Sequence, residues 1–168
     1  MIVSIMQPTY LPWIGYFDLI AKADLFVFLD DVQFARRSWQ QRNRILINGK
    51  EKLLTIPIHK KGKRDQLIKD VIIDDTQKWR TQHFKTLELA YRNAPYSKRV
   101  LELMEQVIFS PIKNLSELNQ RIIKALSREL GLKTPFQRSS DLETMGNSSL
   151  KLLVICSSLN ASTYLSAS

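Results

Sequence analysis

The sequence predicts an α/β protein in which a βαβ unit opens a partly parallel sheet, followed by a β-hairpin and a helical second half. Two short apolar runs, residues 2–6 and 25–29, flank a segment of helical character, as the strands of a βαβ unit do. An Asn-Gly dipeptide between two further strand-like runs predicts the hairpin. Amphipathic segments with helix start and stop signals fill most of the remainder. With 168 residues and 44% hydrophobic content, the chain is expected to form a single domain, residues 1–168, with a substantial core.

The predicted helix between the first two strands spans about residues 11–23 and is apolar on nearly every face. Asp18 and Lys22 are its charged exceptions. This pattern is typical of a helix buried between a sheet and a second layer. The strand that follows is therefore expected to run parallel to the first. An irregular polar segment is predicted from there to Arg42.

The hairpin is predicted from residues 43–47 and 52–58, which flank Asn48-Gly49. Both turn residues readily adopt the positive φ angles that a tight two-residue turn requires. Pro57 lies near the end of the second strand, where a missing backbone donor is tolerated. The Lys- and Gly-containing residues 59–64 are interpreted as a loop that either covers a ligand or has no such role.

Three amphipathic helices are predicted in the second half. Thr76 is placed to cap the first, which ends near Pro95, and Ser97 starts the second. The third begins at Asn114, where a glutamate three positions later completes a capping box, and it stops at Gly131, a typical left-handed terminator. The apolar stripe of each helix predicts that it packs through one face.

The C-terminal part returns to alternating strand-like and helical segments. Residues 133–138 resemble a strand, residues 148–159 a helix, and residues 162–165 the start of another strand. Cys156, the sole cysteine, lies among apolar neighbours and is expected to be a buried thiol. A single cysteine excludes an internal disulfide and a multi-cysteine metal site.

The chain carries a formal net charge of +9, and its basic residues are spread from Arg36 to Arg138. Three interpretations follow, in decreasing order of weight: a solvated basic surface, attraction to phosphate-bearing ligands, and nucleic-acid binding. The last is disfavoured because no nucleic-acid motif is visible. Charges interrupt the apolar stretches well short of the roughly 20 residues that span a bilayer, and no basic segment precedes the first apolar run. We therefore expect no membrane span and a cytoplasmic protein.

Polar side chains are concentrated where the predicted strands end. Gln7 follows the first strand, and Asp30, Asp31 and Gln33 follow the second. Because the carboxyl ends of parallel strands form the crevice in which ligands bind, these side chains are expected to converge. The sequence therefore predicts a small-molecule site at this edge of the sheet.

Each of the main candidates has both a functional and a structural interpretation. Asp30 and Asp31 can orient a sugar hydroxyl, hold a divalent cation or act as a base, but acidic pairs after a strand also cap turns. Arg42 suits a phosphate or carboxylate clamp because its planar fork binds two oxygens, and it suits a structural pairing with either aspartate equally well. Gln7 and Tyr10 can hydrogen-bond a ligand or satisfy loop backbone, and their position at a strand end favours binding.

Aromatic and glycine residues supply further candidates. Trp39, among several arginines, either stacks on a base or sugar or anchors its loop to the core. The strand, turn and helix layout is similar to that of nucleotidylyltransferases, in which a glycine at the position of Gly15 lets a phosphate approach the helix start. Trp13 and Tyr16 stand where those enzymes place histidines, so the similarity supports nucleotide binding more than the reaction. His83 shares a helical stripe with apolar residues and is expected to be a packed histidine.

Several motifs in the chain resemble those of the WbqC-like family. The N-terminal motifs are Gln7-Pro8-x-Tyr10, Pro12-x-x-Gly15-Tyr16-Phe17, Leu29-Asp30-Asp31-Val32-Gln33-Phe34 and Trp39-x-x-Arg42-Asn43. The later motifs are Tyr91-x-x-Ala94-Pro95-Tyr96, Arg138-Ser139-Ser140 and Thr163-Tyr164-Leu165-Ser166. That family is associated with bacterial O-antigen and other surface polysaccharide gene clusters, so the resemblance implies a biosynthetic role. Because members usually continue beyond the last motif, the resemblance also implies that the family's C-terminal region is absent from this sequence.

Together with the candidate residues, the resemblance predicts an enzyme, specifically a transferase acting on a nucleotide-linked or otherwise activated sugar. The expected catalytic residues are Asp30 and Arg42, and the expected substrate-binding residues are Gln7, Tyr10, Gly15, Asp31, Gln33, Trp39 and Asn43. No metal site is predicted from ligand spacing, and no cofactor is indicated. The alternatives are a non-enzymatic module that binds an anion or nucleic acid through its basic segments, and an inactive truncated copy.

Overall fold

The computed structural model describes residues 1–59, 65–142, 144–146 and 148–167. The elements follow in the order β1 (Ile2–Met6), α1 (Ile14–Lys22), β2 (Leu25–Phe28), β3 (Arg42–Ile47), β4 (Lys50–Thr55), α2 (Trp79–Tyr91), α3 (Ser97–Ile108), α4 (Leu115–Glu129), β5 (Phe136–Arg138), α5 (Ser148–Ser158) and β6 (Thr163–Leu165). Short 3₁₀ turns lie at Ile68–Asp70 and Ser139–Asp141. The α/β class predicted from the sequence is confirmed.

Four strands form a parallel sheet in the order β5-β2-β1-β6. β1 pairs with β2 so that Met6 lies opposite Phe28, and β2 pairs with β5 so that Phe28 lies opposite Arg138. All four strands run in the same direction, so the residues that follow them meet at one edge of the sheet. This arrangement confirms the predicted βαβ opening and the predicted parallel pairing of the first two strands.

Helices cover both faces of the sheet. On one face, α1 and the middle of α4 bury an aromatic cluster that includes Tyr16 and Phe26. On the other face, α5 packs Ile155 against Val27. Neighbouring strand residues point to opposite faces, so β2 contributes to two separate cores. Cys156 lies at the margin of the second core, where it is only partly buried rather than fully buried as expected, and this burial raises its thiol pKa.

α1 begins at Ile14, three residues later than predicted, because the backbone at Leu11 is left-handed with a φ of 49°. One face of the helix is buried, with Tyr16 fully covered. The opposite face is exposed: the Ile14 side chain is 78% exposed, and Asp18 and Lys22 form an ion pair in solvent. The prediction of a helix buried on nearly every face is therefore wrong for the solvent side.

β3 and β4 form the predicted hairpin and pair along their whole lengths. The Asn48-Gly49 turn has positive φ at both residues, 49° and 75°, as a tight two-residue turn requires. The second strand ends at Thr55 rather than at residue 58, because Ile58 leaves the hairpin and pairs with Ile73. Residues 60–64 of the predicted basic loop lie outside the described residues.

α2, α3 and α4 pack with the hairpin around the largest hydrophobic core. The Asn114 side chain accepts a hydrogen bond from the Glu117 N–H at 3.0 Å, which confirms Asn114 as the cap of α4, and Gly131 follows α4 with a φ of 73°. Thr76 does not cap α2, because its hydroxyl and N–H both bind the Asp74 carboxylate instead. Across the described ranges, no helix is both long and apolar enough to cross a membrane.

Candidate functional site

A groove of about 640 Å³ opens at the carboxyl edge of the sheet, between the ends of β2 and β5 and one face of α4. Asp30, in the loop after β2, lines one side, and Arg138 lines the end of β5. α4 contributes Gln120, Arg121 and Lys124 to the opposite wall. The groove lies at the sheet edge where the sequence predicted a ligand site, but Asp30 is the single one of the nine predicted residues that lines it.

The two serines that follow β5 hold Asp30, Ser140 through the carboxylate and Ser139 chiefly through the backbone. The Ser140 N–H donates to Oδ1 at 3.1 Å and the Ser140 hydroxyl donates to Oδ2 at 3.0 Å. The Ser139 hydroxyl lies 3.3 Å from Oδ1 and accepts the Asp30 N–H at 3.1 Å. The side chain is fixed and only 2% exposed. Because each carboxylate oxygen accepts about two hydrogen bonds, Oδ2 retains acceptor capacity.

Asp31 points away from the groove and forms an ion pair with Lys151 of α5. The Lys151 Nζ lies 2.6 Å from Asp31 Oδ2, and the side chains are 7% and 12% exposed. Lys151 also donates to the Thr144 carbonyl at 3.1 Å. The Ser139 hydroxyl donates to Asp31 Oδ1, and since it has one hydrogen, this short contact outweighs the longer one to Asp30. The two aspartates thus join β2 to β5 and to α5.

The cations Arg121 and Lys124 and the acidic residue Glu117 all lie on the α4 wall of the groove. Lys124 Nζ lies 5.6 Å from the ring centre of Phe28 and 5.8 Å from that of Phe136, and these two rings are stacked. Burial lowers the Lys124 pKa, and neighbouring arginines, Arg138 foremost, lower it further. Arg138 makes two hydrogen bonds to Asp141, and these raise its pKa. Lys124 has no hydrogen-bonded carboxylate among the described residues.

Tyr10 belongs to the core and has no exposed surface. Its hydroxyl lies 2.9 Å from His83 Nδ1, and burial raises the Tyr10 pKa well above its usual range. His83 packs edge-on against Trp79 and hydrogen-bonds the backbone of Thr55. Burial lowers its pKa to about 4, so the ring is neutral at physiological pH. The expectation of a packed histidine is confirmed, and this pair joins the loop after β1 to α2.

The two predicted glutamines bond to neighbouring loops. Gln7 accepts a hydrogen bond from the Gln40 side chain at 2.7 Å, and its backbone carbonyl accepts one from Tyr16. Gln33 is exposed and donates to the Asp65 carboxylate at 3.3 Å. Neither side chain lines the groove.

Arg42 lies in a second cavity, of about 490 Å³, together with Arg36 and Arg37. Within the described part of the chain, no hydrogen bond or ion pair joins its side chain to Asp30 or Asp31, so the structural pairing considered for it is not present. The structure therefore separates the two residues that the sequence grouped as catalytic.

Trp39 and Asn43 also lie away from the groove. The Trp39 side chain is 51% exposed, and the Arg44 guanidinium lies 5.7 Å from its ring centre. The Asn43 amide donates to the Tyr10 carbonyl at 3.1 Å and to the Leu11 carbonyl. Asn43 thus fixes the loop after β1 onto the hairpin, whereas Trp39 keeps a free surface.

A third cavity, of about 460 Å³ and mainly apolar, lies between the start of α1, the hairpin and the α2-α3 connection. Trp13 and Tyr91, both about half exposed, line it together with Pro95. A Cβ added at Gly15 would lie 2.5 Å from Trp13 Nε1, so Gly15 leaves room for the indole ring. This packing explains the glycine without a bound phosphate.

The sequence analysis missed the lysines that the structure places near the aspartates. Lys151 is the sole charged residue of α5 and is flanked by apolar side chains, a pattern that signals a buried partner. Lys124 carries no comparable signal, because its helix has two further cations, Arg121 and Arg128, both of them exposed. Ser139 and Ser140 lie in a recognised motif, but their contact with Asp30 follows only from the pairing of β2 with β5. Over the described ranges, no three His, Cys, Asp or Glu side chains are grouped as metal ligands.

Comparisons with known proteins identify the family. The model of the WbqC-like protein family matches residues 7–168. The chain is also 34% identical over 165 residues to "Uncharacterized protein Rv1507c" of Mycobacterium tuberculosis (strain ATCC 25618 / H37Rv), a match that covers 98% of this chain and 71% of that protein. No solved structure matches the chain significantly. The resemblance seen in the sequence motifs is thereby confirmed, and the chain belongs to the WbqC-like protein family.

Proposed function

We propose that the chain binds a phosphate-bearing small molecule, a nucleotide-linked sugar, in the groove at the carboxyl edge of its parallel sheet. In this proposal it acts in the cytoplasm as a transferase of surface polysaccharide biosynthesis, as the resemblance to the WbqC-like family implies. The observation that carries the proposal is the position of Lys124, which is half-buried, faces the groove and, among the described residues, makes no hydrogen bond or ion pair with a carboxylate.

Four cationic residues line the groove against three acidic ones, Asp30, Glu117 and Asp141, which leaves a small excess of positive charge for an anionic ligand. Arg121, Lys124 and Lys69 line it together with Arg138, and the Lys124 ammonium is partly desolvated over aromatic rings. An anion bound there would replace the water that burial removes and would be attracted more strongly than at an exposed lysine. The volume of about 640 Å³ is in the range of small-molecule pockets.

Asp30 supplies the complementary polar group. Its carboxylate is oriented by Ser140, and Oδ2 retains acceptor capacity beside the groove. A carboxylate held in this way suits recognition of a sugar hydroxyl, because its geometry is fixed before the ligand arrives. The proposal therefore places the phosphate at Lys124 and the sugar at Asp30.

The test of binding is a thermal melt with nucleotide sugars, nucleoside triphosphates, coenzyme A and duplex DNA at two salt concentrations. A ligand that binds the folded state raises the melting temperature. We expect one class of nucleotide sugar to raise it in the natural chain and in the control Lys98→Gln, which removes an exposed lysine of α3. We expect a clearly smaller shift in Lys124→Gln than in the natural chain.

Other results would contradict the proposal. A shift produced equally by duplex DNA, and abolished by salt, would favour the non-enzymatic anion-binding or nucleic-acid-binding alternative. A broad melt without a cooperative transition would favour an inactive copy. If a nucleotide sugar binds, transfer of its sugar to water, which releases the nucleotide, should be lost in Asp30→Asn, and retained turnover in that variant would remove Asp30 from the reaction.

A further inference from the structure

The second cavity carries an inference that is independent of the groove. It is lined by Arg36, Arg37 and Arg42, together with Gln41 and Thr55. No acidic residue is among these lining residues. Three arginines thus line one concave volume of about 490 Å³, which is within the size range of small-molecule pockets.

The loop that presents the arginines is held by two buried glutamines. The Gln40 side chain accepts the Ala35 N–H at 3.2 Å, and the Gln41 side chain accepts the Arg37 N–H at 3.3 Å. Gln41 in turn donates to the Ile56 carbonyl at 2.8 Å, and both glutamines are at most 3% exposed. The loop conformation is therefore determined by the core beneath it.

The backbone at Arg37 is strained as well as fixed. Its φ of 60° lies in the left-handed region, which disfavours side chains larger than glycine. Strain of this kind persists where the surroundings impose it, and such residues cluster at binding sites. Here the imposed conformation places Arg37 beside Arg42 and Arg36, although like charges repel.

Arg42 reaches the same cavity from a regular strand. It opens β3 opposite Thr55 and is partly buried, so its guanidinium is positioned by the hairpin rather than by the loop. A rigid strand and a fixed loop thus bring arginines to the same cavity. Arginine forks bind two phosphate oxygens at once, which a lysine cannot do.

We infer that this cavity, defined by Arg36, Arg37 and Arg42, is a second anion site that binds a phosphorylated small molecule. Its concave shape and limited volume suit a diphosphate or phosphate ester rather than the extended backbone of a nucleic acid. The site shares no lining residue with the groove at the sheet edge. The inference therefore stands whether or not the groove binds a nucleotide sugar.

The test is calorimetric titration of the full chain with inorganic pyrophosphate. The Lys124→Gln background removes the key cation of the groove, so that remaining binding reports on the arginine site. In this background we compare Arg37→Gln and Arg42→Gln with the control Arg44→Gln. The control removes the same charge from β3, two residues from Arg42, where Arg44 pairs with the exposed Glu51.

We expect Arg37→Gln and Arg42→Gln each to weaken pyrophosphate binding about tenfold or more, as loss of a charge-assisted bidentate contact does. Arg44→Gln should change the pyrophosphate affinity less than about twofold, because it removes one positive charge but none of the arginines that line the cavity. Equal weakening by all three variants would show unspecific attraction and overturn the inference. Absence of pyrophosphate binding in the Lys124→Gln background would overturn it too. Arg37 is exposed, so its variant keeps the test decisive if Arg42→Gln fails to fold.

Discussion

Replacing Lys151 by methionine should strongly destabilise the protein, because it leaves the Asp31 carboxylate buried without its cation. The Lys151 side chain is 7% exposed and that of Asp31 is 12% exposed, so water screens neither charge well. The substitution removes the 2.6 Å contact to Asp31 and the hydrogen bond to the Thr144 carbonyl. Methionine has a similar length and fills most of the same volume, so the effect reports on charge rather than on a cavity.

The expected loss is about 3 kcal/mol in the free energy of unfolding. Removing one partner of a buried ion pair costs roughly 3 to 5 kcal/mol. The low end applies because Asp31 keeps the Ser139 hydroxyl as a donor and has slight access to solvent. Urea denaturation measures the loss, and a second variant, Asp31→Asn, completes a double-mutant cycle with Lys151→Met. The double variant should be more stable than the sum of the single losses implies, by about 2 kcal/mol.

The chain offers a matched control in Lys22 and Asp18 of α1. Their Nζ to oxygen distance is 2.7 Å, nearly the same, but the side chains are 62% and 56% exposed. Lys22→Met should lower the free energy of unfolding by less than about 0.5 kcal/mol, because a solvated ion pair contributes little to stability. Similar losses for Lys22→Met and Lys151→Met would refute the reasoning from burial, as would an additive double-mutant cycle.

Three further predictions concern other buried or half-buried polar groups. His83 stays neutral in the folded protein to about pH 4 but protonates near pH 6.5 in the unfolded chain. The free energy of unfolding should therefore fall by roughly 3 kcal/mol as the pH falls from 6.5 to 4. His83→Gln should flatten this pH dependence in urea titrations. Asn119→Ala should lower the free energy of unfolding by roughly 2 to 4 kcal/mol in urea denaturation, because Asn119 is fully buried and donates to two loop carbonyls. The exposed control Asn93→Ala should lower it by less than about 0.5 kcal/mol. If the groove binds an anion, the affinity should fall with rising pH before an ordinary lysine loses its proton, because the Lys124 pKa is lowered. Lys124→Arg should remove that dependence in calorimetric titrations, and an unchanged pH profile would exclude Lys124 from binding.

Local signals predicted most of the fold. The Asn48-Gly49 turn, the Asn114 cap and Gly131 act through their own backbone, so short-range chemistry suffices to place them. The errors arose where competing contacts, one local and one distant, overrode such signals. Thr76 was expected to cap α2 but binds the nearer Asp74 carboxylate, and the hairpin lost Ile58 to a distant partner.

The candidate site was harder to predict, because its parts come from distant positions in the chain. The sequence placed polar residues at the strand ends correctly. It could not show that Ser140 donates a hydrogen bond to the Asp30 carboxylate or that Lys151 pairs with Asp31. It also treated neighbours in sequence as neighbours in space. Arg42 and Asp30 are twelve positions apart in the printed sequence, yet the loop between them leads to a different cavity.

The strand order also governs how the protein reaches its native state. The first two strands of the chain occupy the centre of the sheet, and both outer strands, β5 and β6, come from its last third. During synthesis one edge of the central pair therefore stays unpaired until residues 136–138 have left the ribosome, and the other until residues 163–165 have. Such long-range parallel pairing is slow, and open strand edges invite pairing with other chains. The hairpin and the three helices packed on it involve nearer neighbours, so we expect them to form first and the sheet to close last.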